Sequence, residues 1–294
     1  MAQREHGRMT HGAWRRSPRA WLAAAVMAAV VATSCAMPAG HEAGDRVHIV
    51  ATGARYDAPD TLRAGLHHVV FENRDSVIHE CMFIRLGDGM SVADYQAAVR
   101  AGSDFPAGAE DWSGPGLTSP GETSEQWLPL EPGRYMLGCW FNGHLTGTTP
   151  ATIVVVGGPR SATPAPIADA TLRMRDYRFE IVGRLTPGIR TLRVENLGPS
   201  MHEVDIYRLD DGRTIADLRA WMKAHRPGRP PAVVASGVLD AHDRAAVKWL
   251  RRDFRAGRYV FWCEMPVDQS GAPDTSATHP THDQAGMVME LDVR

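Results

Sequence analysis

The residues of this chain that could do chemistry gather toward its carboxyl end. His202, Cys263, His282 and Met287 offer two imidazoles, a thiol and a thioether, in that order. The last two frame the run His282-Asp283-Gln284-Ala285-Gly286-Met287, with a glycine just before the methionine. Nitrogen and soft sulfur donors collected in one region are transition-metal chemistry. Each residue also has a plain alternative: Cys263 as a buried strand residue, Met287 as core, the histidines as surface loop. A sparser set stands earlier, with His79, then Cys139 and His144 at Cys-x4-His spacing, and Thr149 where a methionine would fall. The chain has no Gly-x-Ser-x-Gly elbow, no His-Glu-x-x-His and no phosphate-binding glycine loop.

Both sets sit at matching places in an internal repeat. Gly65 to Asn73 aligns with Gly188 to Asn196. Six residues beyond each asparagine comes a His-Glu pair, His79-Glu80 and His202-Glu203. Gly133-Arg134-Tyr135 to Cys139 aligns with Gly257-Arg258-Tyr259 to Cys263. The offset stays near 123 residues, so a whole domain repeats rather than a short unit.

The elements that must position these residues read as β. Short runs of β-branched and aromatic residues (His68 to Phe71, Met82 to Leu86, Tyr135 to Leu137, Thr152 to Val156) are bounded by Gly, Pro, Asn and Asp. One helix interrupts each copy, Val92 to Arg100 and Ile215 to His225. Ser91 and Thr214 are the N-caps, and Asp94 and Asp217 complete a capping box. The expected fold class is all-β, with two tandem Greek-key sandwiches. Residues 47–157 form the first copy, 158–169 a Pro- and Ala-containing linker, and 170–294 the second. His67 and His68 read as solvated strand residues.

The order His, Cys, His, Met, together with Asn-x5-His and Gly-x-Tyr-x3-Cys, resembles the cupredoxins, the family of plastocyanin and azurin. The resemblance covers nearly all of the chain after residue 46. It implies copper, one ion per chain and two if the first copy also binds. His202, Cys263 and His282 would be the strong ligands and Met287 the weak axial one. A thiolate, two imidazoles and a long thioether suit both copper oxidation states. Phe261, Trp262 and Met265 would form part of the apolar shell. The eighteen residues between Cys263 and His282 depart from the short family loop, and His279 within them is a rival to His282. In the first copy His79, Cys139 and His144 compete with a Cys81–Cys139 disulfide. Glu80 and Glu203 orient the imidazoles, pack behind the ligands as hydrogen-bond acceptors, or face solvent. Nitrite reductases and multicopper oxidases of related build use His-x-His pairs and a histidine beside the cysteine; this chain has neither. The expectation is a single-electron carrier and not an enzyme, with transient redox partners. Copper handling and a metal-free binding module are the alternatives.

Charge and the amino terminus place the protein. The net charge is −2, and the first 34 residues carry five Arg and one Glu, so the remainder is near −6. That balance argues against a nucleic-acid partner. Arg15, Arg16 and Arg19 precede the apolar run Ala20 to Ala32, an export signal spanning residues 1–36, with 37–46 as a tether. Ala32-Thr33-Ser34-Cys35 resembles a lipoprotein box that would anchor the chain at Cys35, and cleavage after Ala36 is the competing route. Either places the protein outside the cytoplasm: periplasmic, secreted or on the outer membrane face.

Overall fold

The computed structural model describes residues 46–53, 55–103, 106–240, 247–267 and 280–294. The expected export signal, residues 37–45 of the tether, Cys35 and His279 lie outside the described residues, while Arg46, expected to end the tether, already begins the first strand. Among the described residues the chain is mostly β. The amino-terminal half runs β1 (Arg46–Thr52), β2 (Arg55–Asp57), β3 (Thr61–Asn73), β4 (His79–Leu86), β5 (Ala109–Thr118), β6 (Thr123–Leu130), β7 (Gly133–Gly138) and β8 (Thr152–Ala162). The carboxy-terminal half runs β9 (Ala170–Arg175), β10 (Arg178–Gly183), β11 (Gly188–Asn196), β12 (His202–Leu209), β13 (Ala232–Asp240), β14 (Lys248–Phe254), β15 (Gly257–Trp262) and β16 (Val288–Val293). Helix α1 (Val92–Arg100) follows β4, the one-turn α2 (His144–Gly147) follows β7, and α3 (Ile215–Lys223) follows β12.

Each half is sandwich-like. In the first, β1 runs parallel to β3 and β3 antiparallel to β6, facing a layer ordered β8-β7-β4-β5. In the second, β10-β9-β11-β14 faces β13-β12-β15-β16. Alternation decides which faces meet. On β1, Val47, Ile49 and Ala51 are buried, and on β9, Ala170, Leu172 and Met174. Fully buried Phe71, Phe83 and Tyr135 fill the first core, and Tyr259, Phe261 and Phe254 the second. Each such side chain contributes roughly 1.5–3 kcal/mol by leaving water.

The described residues, from Arg46 to Arg294, belong to one compact unit. Both layers continue across the boundary between the halves. Strand β6 pairs with β14, Trp127 opposite Trp249, and β5 meets β13 at Thr118 and Ala235. Ser119 clamps the second seam. Its amide donates to the Val234 carbonyl at 2.7 Å, and its Oγ accepts from the Val234 amide at 3.0 Å.

Both capping boxes form. Ser91 Oγ accepts from the Asp94 amide at 3.1 Å while Asp94 accepts from the Ser91 amide at 2.9 Å, and Thr214 and Asp217 repeat the arrangement. Three details differ from the sequence expectation. Helix α3 stops at Lys223, because His225 and Arg226 take left-handed φ values of 60° and 56°. Strand β8 extends to Ala162, into the stretch expected as linker, because residues 161–162 pair with Gly65 and Leu66. His67 and His68 are not solvated: His67 is buried, and His68 stacks on Trp127 at 3.8 Å and hydrogen-bonds Glu125 at 2.6 Å.

Strands β4 and β5 approach most closely where β5 bulges. A Cβ added to Gly114 would lie 1.9 Å from the Cys81 carbonyl oxygen. Gly114→Ala is therefore expected to cost at least about 2 kcal/mol through overpacking, read by urea denaturation. An unchanged midpoint would contradict this packing.

Candidate metal centres

His202 opens β12 and Cys263 follows the last residue of β15, its antiparallel neighbour. That pairing alone brings an imidazole beside a thiol. The segment after the long insertion then returns His282 to them. The His282 amide donates to the Met265 carbonyl at 2.8 Å, and the Asp283 amide to the Cys263 carbonyl at 2.9 Å. His202 Nδ1 and His282 Nδ1 lie 3.1 Å apart, and His282 Nδ1 lies 3.3 Å from Cys263 Sγ. One ligand atom from each of the three falls within 4.8 Å of the others. All three are fully buried, as is Met287, which shares an apolar cluster with Cys263, Phe261 and Met265. Trp262 is buried too, but packs in a different cluster beside Tyr207.

The surroundings hold these groups in place. Asp176, in the turn between β9 and β10, accepts from His202 Nε2 at 2.7 Å, which leaves Nδ1 facing inward. Tyr177 of the same turn meets the His282 ring edge-on at 4.8 Å. Gly198 makes room for this: a Cβ there would lie 2.5 Å from Asp176 Oδ1 and 3.0 Å from His202 Nε2. His282 Nε2 is buried with no hydrogen-bond partner among the described residues.

The amino-terminal half assembles its own triad. His79, Cys139 and His144 also bring three ligand atoms within 4.8 Å of one another. His144 begins α2, and its Nδ1 lies 3.4 Å from Cys139 Sγ. His79 Nε2 bonds Asp75 at 2.9 Å. This site is less closed, since His144 is half-buried and Thr149 is exposed. Cys81 and Cys139 are both free thiols. The Cys81–Cys139 pairing therefore gives way. Cys81 packs with Phe83 and Trp112, while Cys139 packs in another cluster with Phe141 and turns its Sγ to His144.

Of the roles expected of Glu80 and Glu203, both take that of hydrogen-bond acceptor behind the triad. Glu80 accepts the Trp140 amide at 2.9 Å, and Glu203 the Glu264 amide at 2.7 Å, so each carboxyl pins the residue just after a cysteine. Their own amides donate to Cys139 Sγ at 3.2 Å and Cys263 Sγ at 3.4 Å. Asp75 and Asp176 orient the imidazoles instead. Asp75 had a local signal, four residues before His79. Asp176 had none, being brought to His202 only by the β9–β10 turn.

Burial dominates the electrostatics. It pushes the Cys139 thiol up to about 12 and Cys263 well above its ordinary value, so neither is a reactive thiolate by itself. It lowers His202 and takes His282 down to about 4, keeping both imidazoles neutral and able to coordinate. A bound cation is what would stabilise a thiolate there.

No protein-family model matches the chain, and no curated protein matches it. Among solved structures it is similar to the dithionite-reduced auracyanin of Roseiflexus castenholzii, at 21% identity over 38% of this chain and 97% of that one, with TM-score 0.28. It is also similar to auracyanin A, a "blue" copper protein of Chloroflexus aurantiacus, at 22% over 38% and 98%, with TM-score 0.29. A Cu-containing nitrite reductase of Thermus scotoductus aligns at 13% over 85% of this chain and 61% of that one, with TM-score 0.22. These scores are low, and the fold and the site stand on the strand pairings and distances above.

Two outcomes follow. Gly198→Ala should displace Asp176 from His202 and weaken metal binding about 10–100-fold, as loss of an outer hydrogen bond to a ligand does; equilibrium dialysis against a competing chelator reads it, and unchanged affinity would discard the role given to Asp176. The second concerns pH. Burial raises Glu80 to about 8 and Glu203 to about 7, whereas the unfolded chain releases both protons above about 4.5. The folded state therefore binds more protons up to pH 8, and these groups make stability fall as pH rises. The lowered histidines act oppositely, but only below about 6.5. Urea denaturation of the metal-free chain should show declining stability from pH 6.5 to 8, with a shallower decline in Glu80→Gln. A rising profile would contradict it.

Proposed function

We propose that the chain is an exported copper protein that carries single electrons. A copper ion would be held by His202, Cys263, His282 and Met287 in the second of two tandem cupredoxin-like domains, residues 170–294. The observation that carries this reading is the convergence of two inward Nδ1 atoms and one Sγ in a fully buried, apolar pocket. Those atoms are the donor set that suits copper, and burying them without a cation is costly. When bound, copper supplies a one-electron couple. Asp176 fixes the His202 ring, the Glu203 amide and carboxyl fix Cys263 and the residue after it, and Phe261, Met265 and Met287 exclude water.

The triad of the first domain, residues 47–157, favours a second and weaker copper. Its donors converge in the same way, but without a thioether at Thr149 and with His144 half-exposed. An electron carrier is preferred over an oxidase, because Cys139 is flanked by Gly138 and Trp140 and Cys263 by Trp262 and Glu264, and no His-x-His pair occurs. Redox proteins docking transiently are the partners of this reading. The basic, apolar leader and Cys35 support work outside the cytoplasm, with or without a lipid anchor.

The test is a visible spectrum of residues 37–294 after copper loading and oxidation, with copper counted per chain. An intense red band is expected, lost in Cys263→Ser with the fold kept by circular dichroism and retained in Cys139→Ser. Copper surviving in Cys263→Ser measures the first triad directly. Full colour in Cys263→Ser would sink the assignment, and colourless bound copper would favour copper handling.

A further inference from the structure

Between the two halves lies a cavity of about 230 Å³, and the electron-transfer reading gives no role to its Asp111, Asp205 or Arg226. Its polar lining is unbalanced. Glu80 and Asp111 come from the first half, and Glu203, Asp205 and Glu264 from the second, against the single guanidinium of Arg226. Arg226 is already engaged: it pairs with Glu264 and lies 5.4 Å over the Phe141 ring. Glu80 and Glu203 are engaged as well, each accepting a backbone amide.

Asp205 is different. It is 6% exposed, it lines the cavity, and its carboxylate has no hydrogen-bond or ion-pair partner among the described residues. Burial and the nearby Glu203 and Glu80 push its pKa well above the ordinary carboxylate value, with Arg226 opposing them, so the cavity holds a neutral acid without a partner, and an arriving cation would favour its ionised form. The rest of the wall is Met82, Leu117, Trp140, Phe141, Met265 and Pro266, an apolar lining of rings and thioethers that suits a cation carried on a short apolar stem. A bare metal ion does not fit. Among the described residues, the groups of three or more His, Cys, Asp or Glu ligand atoms that converge closely enough are the two His/Cys/His triads, and these carboxyls are not in them.

We propose that this cavity binds a small organic cation, a primary ammonium or guanidinium group seated against Asp205 with its stem along Trp140 and Phe141. The site is independent of copper and is built only when both halves pack together, since neither half supplies a complete wall.

The experiment is calorimetric titration of the metal-free chain, residues 37–294, with butylammonium and butylguanidinium, and with butanol as the neutral counterpart. The cations should bind with Kd of about 1 mM or tighter, as a ligand of a few heavy atoms can. Butanol should bind at least tenfold more weakly, and Asp205→Asn, which keeps the side-chain shape, should weaken the cations at least tenfold. Copper content of Asp205→Asn should equal that of the parent, which separates this site from the triads. Nα-acetyl-lysine amide distinguishes the source of the cation: tighter binding than butylammonium points to a partner's side chain, weaker binding to a free amine. Should Asp205→Asn fail to fold, methyl-labelled methionine in the parent chain gives an independent reading, with shifts expected at Met82 and Met265 on adding butylammonium and none at Met174. Equal binding of butanol, full binding by folded Asp205→Asn, or no binding by the parent would overturn the proposal.

Discussion

The pairing of β12 with β15, and of β4 with β7, is the constraint on which the rest depends. In each pair a histidine opens one strand and a cysteine follows the end of the other, so antiparallel hydrogen bonding sets imidazole and thiol side by side. The same edge puts the amide of Glu203 or Glu80 onto the sulfur. Backbone geometry, rather than any flexible side chain, therefore fixes the first two members of each triad. Such a frame can hold donor atoms at nearly fixed spacing while charge comes and goes.

What completes the triad differs between the halves, and the difference is one of closure. In the second half His282 returns from a long excursion, anchored by amide bonds to the Met265 and Cys263 backbones, and ends fully buried. In the first, His144 comes from a one-turn helix five residues after Cys139 and stays half-exposed. A short link cannot carry its histidine as deep, nor bring a methionine behind it. The second centre is dry and the first is bordered by solvent, so a cation bound in the first would be more easily competed by water.

The seam between the halves adds a property that neither would have alone. Continuation of both layers through β6–β14 and β5–β13 removes edges that would otherwise be open to pairing with other chains. It also encloses carboxyl groups from both sides. Glu80 and Glu203, each beside a triad histidine, are pushed upward chiefly by this burial.

Much was legible in the sequence because it is encoded locally. The capping boxes of Ser91 and Thr214, the alternation on β1 and β9, and the order His202, Cys263, His282, Met287 depend on near neighbours or on a repeat that can be aligned by eye. The role of Asp176 was not legible, because a turn and a glycine at 198 bring it across the fold to a histidine 26 residues away. Nor was the fate of Cys81. Its two-residue spacing from His79 suggested a shared face with Cys139, but strand irregularities beside Cys81 and the turn after Gly138 send the two sulfurs into different clusters. The unpartnered Asp205 and the cavity it lines exist only once the halves pack. Sequence by itself determined which side chains could serve as donors and on which strands they sit, since that is a matter of type and period; tertiary structure alone decided which of them meet, how dry each meeting place is and what is left unpaired, since those follow from contacts between distant segments.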